Sequence, residues 1–332
     1  MEKLVRPAVI AIASILMFSS CGGQESVTSD EATAGTQAPV IAEPSDDEKL
    51  GNLEAEEEIP AGPQSIVSLS PTATEMLFAI GAGSQVVAVD NYSYYPKEAP
   101  VLEDLSAWSP NIEAIAEFEP DLVVLSDAGI KEELESLGVE VLVLPAVSNL
   151  DGVYEQIADL GVATANIDGA AALVASMRAE ISSIMENIVT PEKPLTYFHE
   201  LDDTLYSVTS GTFIGQIYEM VGLSNIADPA DADGSAFGYP QLTQEFVLES
   251  DPDLIFFVDG NCCGQTVEII SERPGWDVLK AVRNGTVIEM DADIASRWGP
   301  RLVQFLQSLS DAVALVPAGQ QRATREIAYC IG

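Results

Sequence analysis

Three short apolar runs that do not alternate, at residues 66–69, 122–125 and 254–258, constrain this chain more than any other feature in it. A strand with one face in water alternates apolar and polar side chains, whereas a continuous aliphatic run belongs to a strand covered on both faces. Parallel strands sandwiched between helices meet that requirement. The stretches between the runs carry the helical period at 74–80, 112–117 and 130–137, with further strands at 86–89 and 139–144. A second set follows, with strand or helix patterns at 195–198, 213–221, 254–258, 278–282, 287–290 and 302–315. The expected fold class is therefore α/β, with two Rossmann-like lobes.

The two sets are separated by a stretch of helical spacing in which Leu173, Val174, Met177, Ile181, Ile184 and Met185 follow Gly169 without a breaker until Pro191 and Pro194. One long helix over 167–190 is expected to join a lobe at 64–166 to a lobe at 191–332.

The opening of the chain reads differently. Lys3 and Arg6 precede an apolar run from Ala8 to Phe18, and Ser19, Ser20, Cys21, Gly22 form a small-residue cysteine pattern. Residues 1–20 are expected to be a lipoprotein signal peptide, with Cys21 lipidated and the protein held on the outer face of the cell membrane. Residues 21–63 are rich in Gly, Ser, Thr, Pro and acids, with the run Glu56, Glu57, Glu58. Such a segment buries too little apolar surface to offset its ordering entropy, so it is expected to act as an acidic tether.

Charge narrows the function classes. Fourteen basic residues against 53 acidic ones give a formal net charge of -39, which makes nucleic acid a poor partner. A single histidine, His199, excludes the multi-imidazole clusters used by many protein-held metal sites, and no metal site or cofactor is expected. Nucleophile-elbow, phosphate-loop and zinc-protease motifs are all missing, so the chain is not expected to be an enzyme. Beyond Cys21 there are three cysteines, and an exported protein tends to oxidise its thiols. Cys330 is expected to pair with Cys262 or Cys263, and an adjacent Cys262–Cys263 bridge is the alternative.

Several segments occur together in a recognisable order. Residues 65–83 contain Ser70, Pro71, Thr72, Ala73, Thr74 and Glu75; 89–96 contain Tyr92; 119–125 and 251–257 each place Pro-Asp-Leu at the start of a strand; and Gly275 and Trp276 precede Arg283, Asn284 and Gly285. In this the chain resembles the iron-siderophore and vitamin B12 substrate-binding proteins of ABC importers. The resemblance implies a class III periplasmic-binding-protein-like architecture, with a guest held between two lobes that close only modestly about one interlobe helix. It implies a monomer that takes a small-molecule metal chelate, an iron chelate first and a corrinoid as the alternative, and hands it to an ABC permease and its ATPase. A sensing module without a transport role is the further alternative.

By that similarity, Tyr92, Trp108 and Tyr239 face the guest with aromatic surface, Tyr239 standing where the family pattern has Trp. Arg297 and Trp298 fall in the family's last cleft loop, His199 and Tyr206 on the cleft wall, and Glu113 and Glu245 match the paired docking acids, one in each lobe.

Overall fold

The computed structural model describes residues 62–188 and 193–316. The signal segment, Cys21, nearly all of the tether and Cys330 lie outside those residues. In the first lobe β1 (Ile66–Leu69), α1 (Pro71–Ala79), β2 (Val86–Val89), α2 (Ile112–Ala116), β3 (Leu122–Leu125), α3 (Lys131–Ser136), β4 (Glu140–Val143) and α4 (Leu150–Ala163) follow one another. All four strands are parallel in the order β2-β1-β3-β4, with Ile66 opposite Leu122 and Leu69 opposite Leu125. The non-alternating runs occupy the centre of the sheet, where β1 and β3 are buried at every residue.

The helix α5 (Ile167–Asn187) leads to the second lobe. There the chain forms β5 (Leu195–Glu200), α6 (Phe213–Met220), β6 (Leu223–Asn225), α7 (Gln244–Ser250), β7 (Leu254–Phe257), α8 (Gly260–Cys263), α9 (Val267–Ser271), α10 (Lys280–Asn284), β8 (Val287–Glu289), α11 (Ala292–Ser296) and α12 (Leu302–Leu315). The strand order is β6-β5-β7-β8, again all parallel. The two sheets thus share one topology. These are two parallel-sheet α/β lobes, the architecture that the resemblance implies.

How α5 joins the lobes follows from its sequence. Ala170, Met177, Ile181 and Ile184 lie along one face at intervals of seven, four and three residues. Ala170 and Met177 enter the core of the first lobe, and Ile181 and Ile184 enter that of the second. One straight stripe is therefore embedded in both cores, which resists bending at the junction. Near the start of the helix the backbone runs so close to the end of α1 that a Cβ on Gly169 would stand 2.0 Å from the Ile80 carbonyl oxygen. Leu150, Phe213 and Val303 pack against both cores and close the seam.

One pairing differs from expectation. Cys262 and Cys263 are bridged to each other in α8, the alternative pairing, whereas Cys330 of the first expectation lies outside the described residues.

Candidate functional site

In a parallel α/β sheet, side chains that meet a ligand gather on the loops beyond the carboxyl ends of the strands. Here those loops form two depressions, each spanning both lobes. The first, about 530 Å³, lies beyond β1, β2 and β3 and is closed by α11; Asp90, Tyr92, Trp108, Asp127, Asp293 and Arg297 are among its walls. The second, about 490 Å³, lies between the loop after β4 and those after β5 and β6, and includes Ser148, Thr212, Asp231, Phe237 and Tyr239.

Local chemistry positions each group. The loop after β2 is turned by Asp90, whose Oδ1 accepts the Tyr92 N–H at 2.7 Å and whose Oδ2 accepts the Ser93 hydroxyl at 3.2 Å. Burial of Asp90 pushes its carboxyl above the ordinary range, against those hydrogen bonds. In the second lobe Asp231 holds the aromatic loop, accepting N–H groups from Ala236 and Gly238 at 2.7 Å each. Gly238 has φ of +88° and packs against Thr212, so this turn accepts no side chain at that position.

The rings on these loops are not core residues. Trp108 is 86% exposed, Phe237 88% and Tyr239 46%. Large rings left bare at a lobe junction offer rigid apolar area to a flat guest at little entropic cost.

Of the expected cleft residues, Tyr92, Trp108 and Arg297 meet in the first depression and Tyr239 lies in the second. Arg297 arrives already engaged: its Nη1 donates to Glu75 Oε1 at 2.9 Å, and its Nη2 donates to the Tyr92 carbonyl at 3.1 Å and sits 2.7 Å from Asp293 Oδ1. Tyr206 is exposed and pairs by a backbone bridge with Gln241, in neither depression.

Two expectations are corrected. Trp298 turns away from both depressions to pack on the core of the first lobe, and its Nε1–H donates to Gln156 Oε1 at 3.0 Å. His199 is fully buried rather than on the cleft wall. β5 is an interior strand covered on both faces, so Phe198 and Glu200 are buried as fully as Tyr197 and His199; Tyr197 stacks on Tyr218 at 4.0 Å, and His199 Nδ1 lies 2.7 Å from the Tyr218 hydroxyl. Burial lowers the imidazole to a pKa of about 4, so it is neutral at physiological pH.

Glu113 and Glu245 are exposed at the second positions of α2 and α7, capped by Asn111 and Thr243. Those helices lead into β3 and β7, which occupy the same place in their respective sheets. The two acids are therefore topological equivalents.

Sequence reasoning overlooked Glu75, Asp127 and Phe237. Phe237 had a local signal, standing two residues before Tyr239 in a Gly-rich turn, whereas Glu75 had none beyond its motif. Among the described residues no group of three or more His, Cys, Asp or Glu is arranged to hold a metal ion.

Comparison with known proteins identifies the family. The family model for periplasmic binding proteins matches residues 66–294. The chain belongs to the periplasmic binding protein family. Members of this family are substrate-binding proteins of transporters rather than enzymes, and this chain is one of them. An ABC transporter substrate-binding lipoprotein of Bacillus subtilis is 27% identical over 317 residues, covering 92% of this chain and 95% of that one. A cobalamin-binding protein of Halobacterium salinarum is 28% identical over 260 residues, 75% of this chain and 69% of its own length. The crystal structure of a periplasmic vitamin B12 binding protein from Vibrio cholerae superposes with a TM-score of 0.61 at 25% identity, covering 76% of this periplasmic binding protein and 98% of that chain.

Proposed function

We propose that this periplasmic binding protein is the extracytoplasmic receptor of an ABC importer, taking a bulky metal chelate between its lobes and delivering it to the permease. The observation that carries this reading is the set of bare rings, Trp108 in one depression and Phe237 and Tyr239 in the other, on loops from both lobes at the strand ends. A small ion or amino acid needs no such surface. A corrin or a ferric chelate presents an apolar area that matches it.

Two guests fit that description, a corrinoid and an iron chelate. The cobalamin-binding and vitamin B12-binding relatives support the corrinoid, and the family resemblance noted in the sequence supports the iron chelate. Delivery rests on Glu113 and Glu245, whose equivalent positions present one carboxylate per lobe to arginines of a permease. Anchoring rests on Cys21, in line with the lipoprotein relative. Among the described residues no helix is long and apolar enough to cross a membrane.

The test is a titration of the purified protein with cyanocobalamin, ferric siderophores and haemin, read by tryptophan fluorescence. Saturable quenching at stoichiometric ratio, without chemical change of the guest, is the expected result. Failure to bind any of them would remove the reading.

A further inference from the structure

We propose that the cleft sorts its guests by charge, admitting neutral or cationic metal chelates and rejecting polyanionic ones. This deepens the import reading and rests on it. The first depression carries three carboxylates, Asp90, Asp127 and Asp293, and one cation, Arg297. That guanidinium is spent within the protein, on Glu75, Asp293 and the Tyr92 carbonyl. Its side chain is only 10% exposed, and it shares Glu75 and Asp293 with Arg301, two guanidinium groups against two acids, so an incoming carboxylate meets a cation whose charge is already balanced while Asp90 and Asp127 add negative charge to the same walls. The second depression carries Asp231, and no cation is among its described walls.

Helix ends do not restore positive character. The α1 helix opens at the first depression, but Pro71 has no N–H and Ser70 Oγ takes the N–H of Ala73. The start of α11 is closed by Asp291, whose Oδ1 accepts the N–H groups of Asp293 and Ile294. At the second depression α6 begins at Phe213, where Thr212 Oγ1 accepts the N–H of Gly215; each helix start at the cleft thus has a capping side chain on its N–H groups, that of α11 a carboxylate.

A ferric tris-catecholate, a ferric polycarboxylate or the propionates of a haem would therefore enter a field of their own sign, where partial exclusion of water strengthens the repulsion. A neutral corrinoid bearing peripheral amides, or a ferric trihydroxamate with a protonated amine, meets the opposite situation. Its N–H groups donate to carboxylates such as Asp127, which is exposed on the loop after β3. Selectivity here is a repulsive element built into the walls, beside the attraction of the rings.

The experiment is calorimetric titration of the full chain at neutral pH with four probes: cyanocobalamin (neutral), ferrioxamine B (cationic), ferric enterobactin (trianionic) and haemin. The tightest neutral or cationic probe is expected to bind at least about tenfold more strongly than either anion, and the gap should narrow as salt is raised. Asp127→Asn, a substitution at an exposed position, should improve binding of the anions by about threefold or more while the melting temperature stays put. An anionic probe bound as tightly as the best neutral or cationic one would overturn the selectivity and leave the import reading standing. A gap insensitive to both salt and Asp127→Asn would assign the preference to shape and overturn the electrostatic proposal. Binding of none of the four would overturn the import reading, and this inference with it.

Discussion

Glu75 of the first lobe and Arg301 of the second are joined by paired hydrogen bonds, Nη2–H to Oε1 at 2.6 Å and Nε–H to Oε2 at 2.9 Å. Arg297 adds a third bond to the same carboxylate, whose side chain is 1% exposed. Planar guanidinium against carboxylate is the geometry in which a desolvated pair is well compensated. The contact spans 226 residues of sequence, and it works with the stripe of α5 to hold the lobes as one unit.

Removing the acid leaves two guanidinium groups nearly buried with insufficient negative charge. Glu75→Gln is therefore expected to lower unfolding free energy by about 3–5 kcal/mol. Denaturant titration with an unchanged m value checks this. A loss under about 1 kcal/mol would show that the contact contributes little.

The rings of the cleft are expected to separate binding from stability. Because Trp108 and Tyr239 are substantially exposed, Trp108→Ala and Tyr239→Ala should leave the melting temperature nearly unchanged. Each should weaken guest binding by about 1–2 kcal/mol, roughly five- to thirtyfold. Calorimetry on the bound and free proteins reads both effects, and a large fall in melting temperature would return these rings to the core.

Glu113→Ala and Glu245→Ala are expected to abolish or strongly reduce uptake in cells while guest affinity in solution stays within about twofold, since both carboxylates lie outside the two depressions. Uptake of labelled guest together with calorimetry distinguishes docking from binding. Undiminished uptake in the double variant would sink the docking role.

His199 makes the fold sensitive to acid. Its folded pKa of about 4 lies below the ordinary value of 6.5, so between those values the unfolded chain binds the extra proton. Stability from this group is complete above about pH 6.5 and falls as pH drops toward 4, by about 1.4 kcal/mol per unit. Raised carboxyls at Asp90, Glu200 and Asp259, each caused first by burial, work in the opposite sense. The comparison must therefore be between variants. His199→Asn, neutral throughout and able to meet the Tyr218 hydroxyl, should have a flatter acid limb than the parent in denaturant titrations from pH 7 to 4. Parallel curves would exclude His199 as the acid-sensitive group.

Taken alone, the sequence determined the fold class, because burial on both faces of a strand leaves a mark in consecutive residues: Leu122–Leu125 and Leu254–Phe257 are apolar throughout and sit at sheet centres. The family resemblance, carried by local motifs, pointed to the loops of Trp108 and Tyr239. The interior position of β5 was not legible in the same way, because Leu195–Glu200 mixes polar and apolar residues. Residues 197–200 are buried on both faces of that strand, and this cover places the imidazole in the interior.

What only the tertiary structure decided depends on groups remote in sequence. Whether Arg297 is available to a guest is set by Glu75, 222 residues away, and whether Trp298 faces the cleft is set by Gln156, 142 residues away. The physical reason is one of range. Periodicity records the side of an element that is dry, and it is written in neighbouring residues. The partner that a buried charge or indole finds there is chosen by how whole lobes close on each other, which no local pattern encodes.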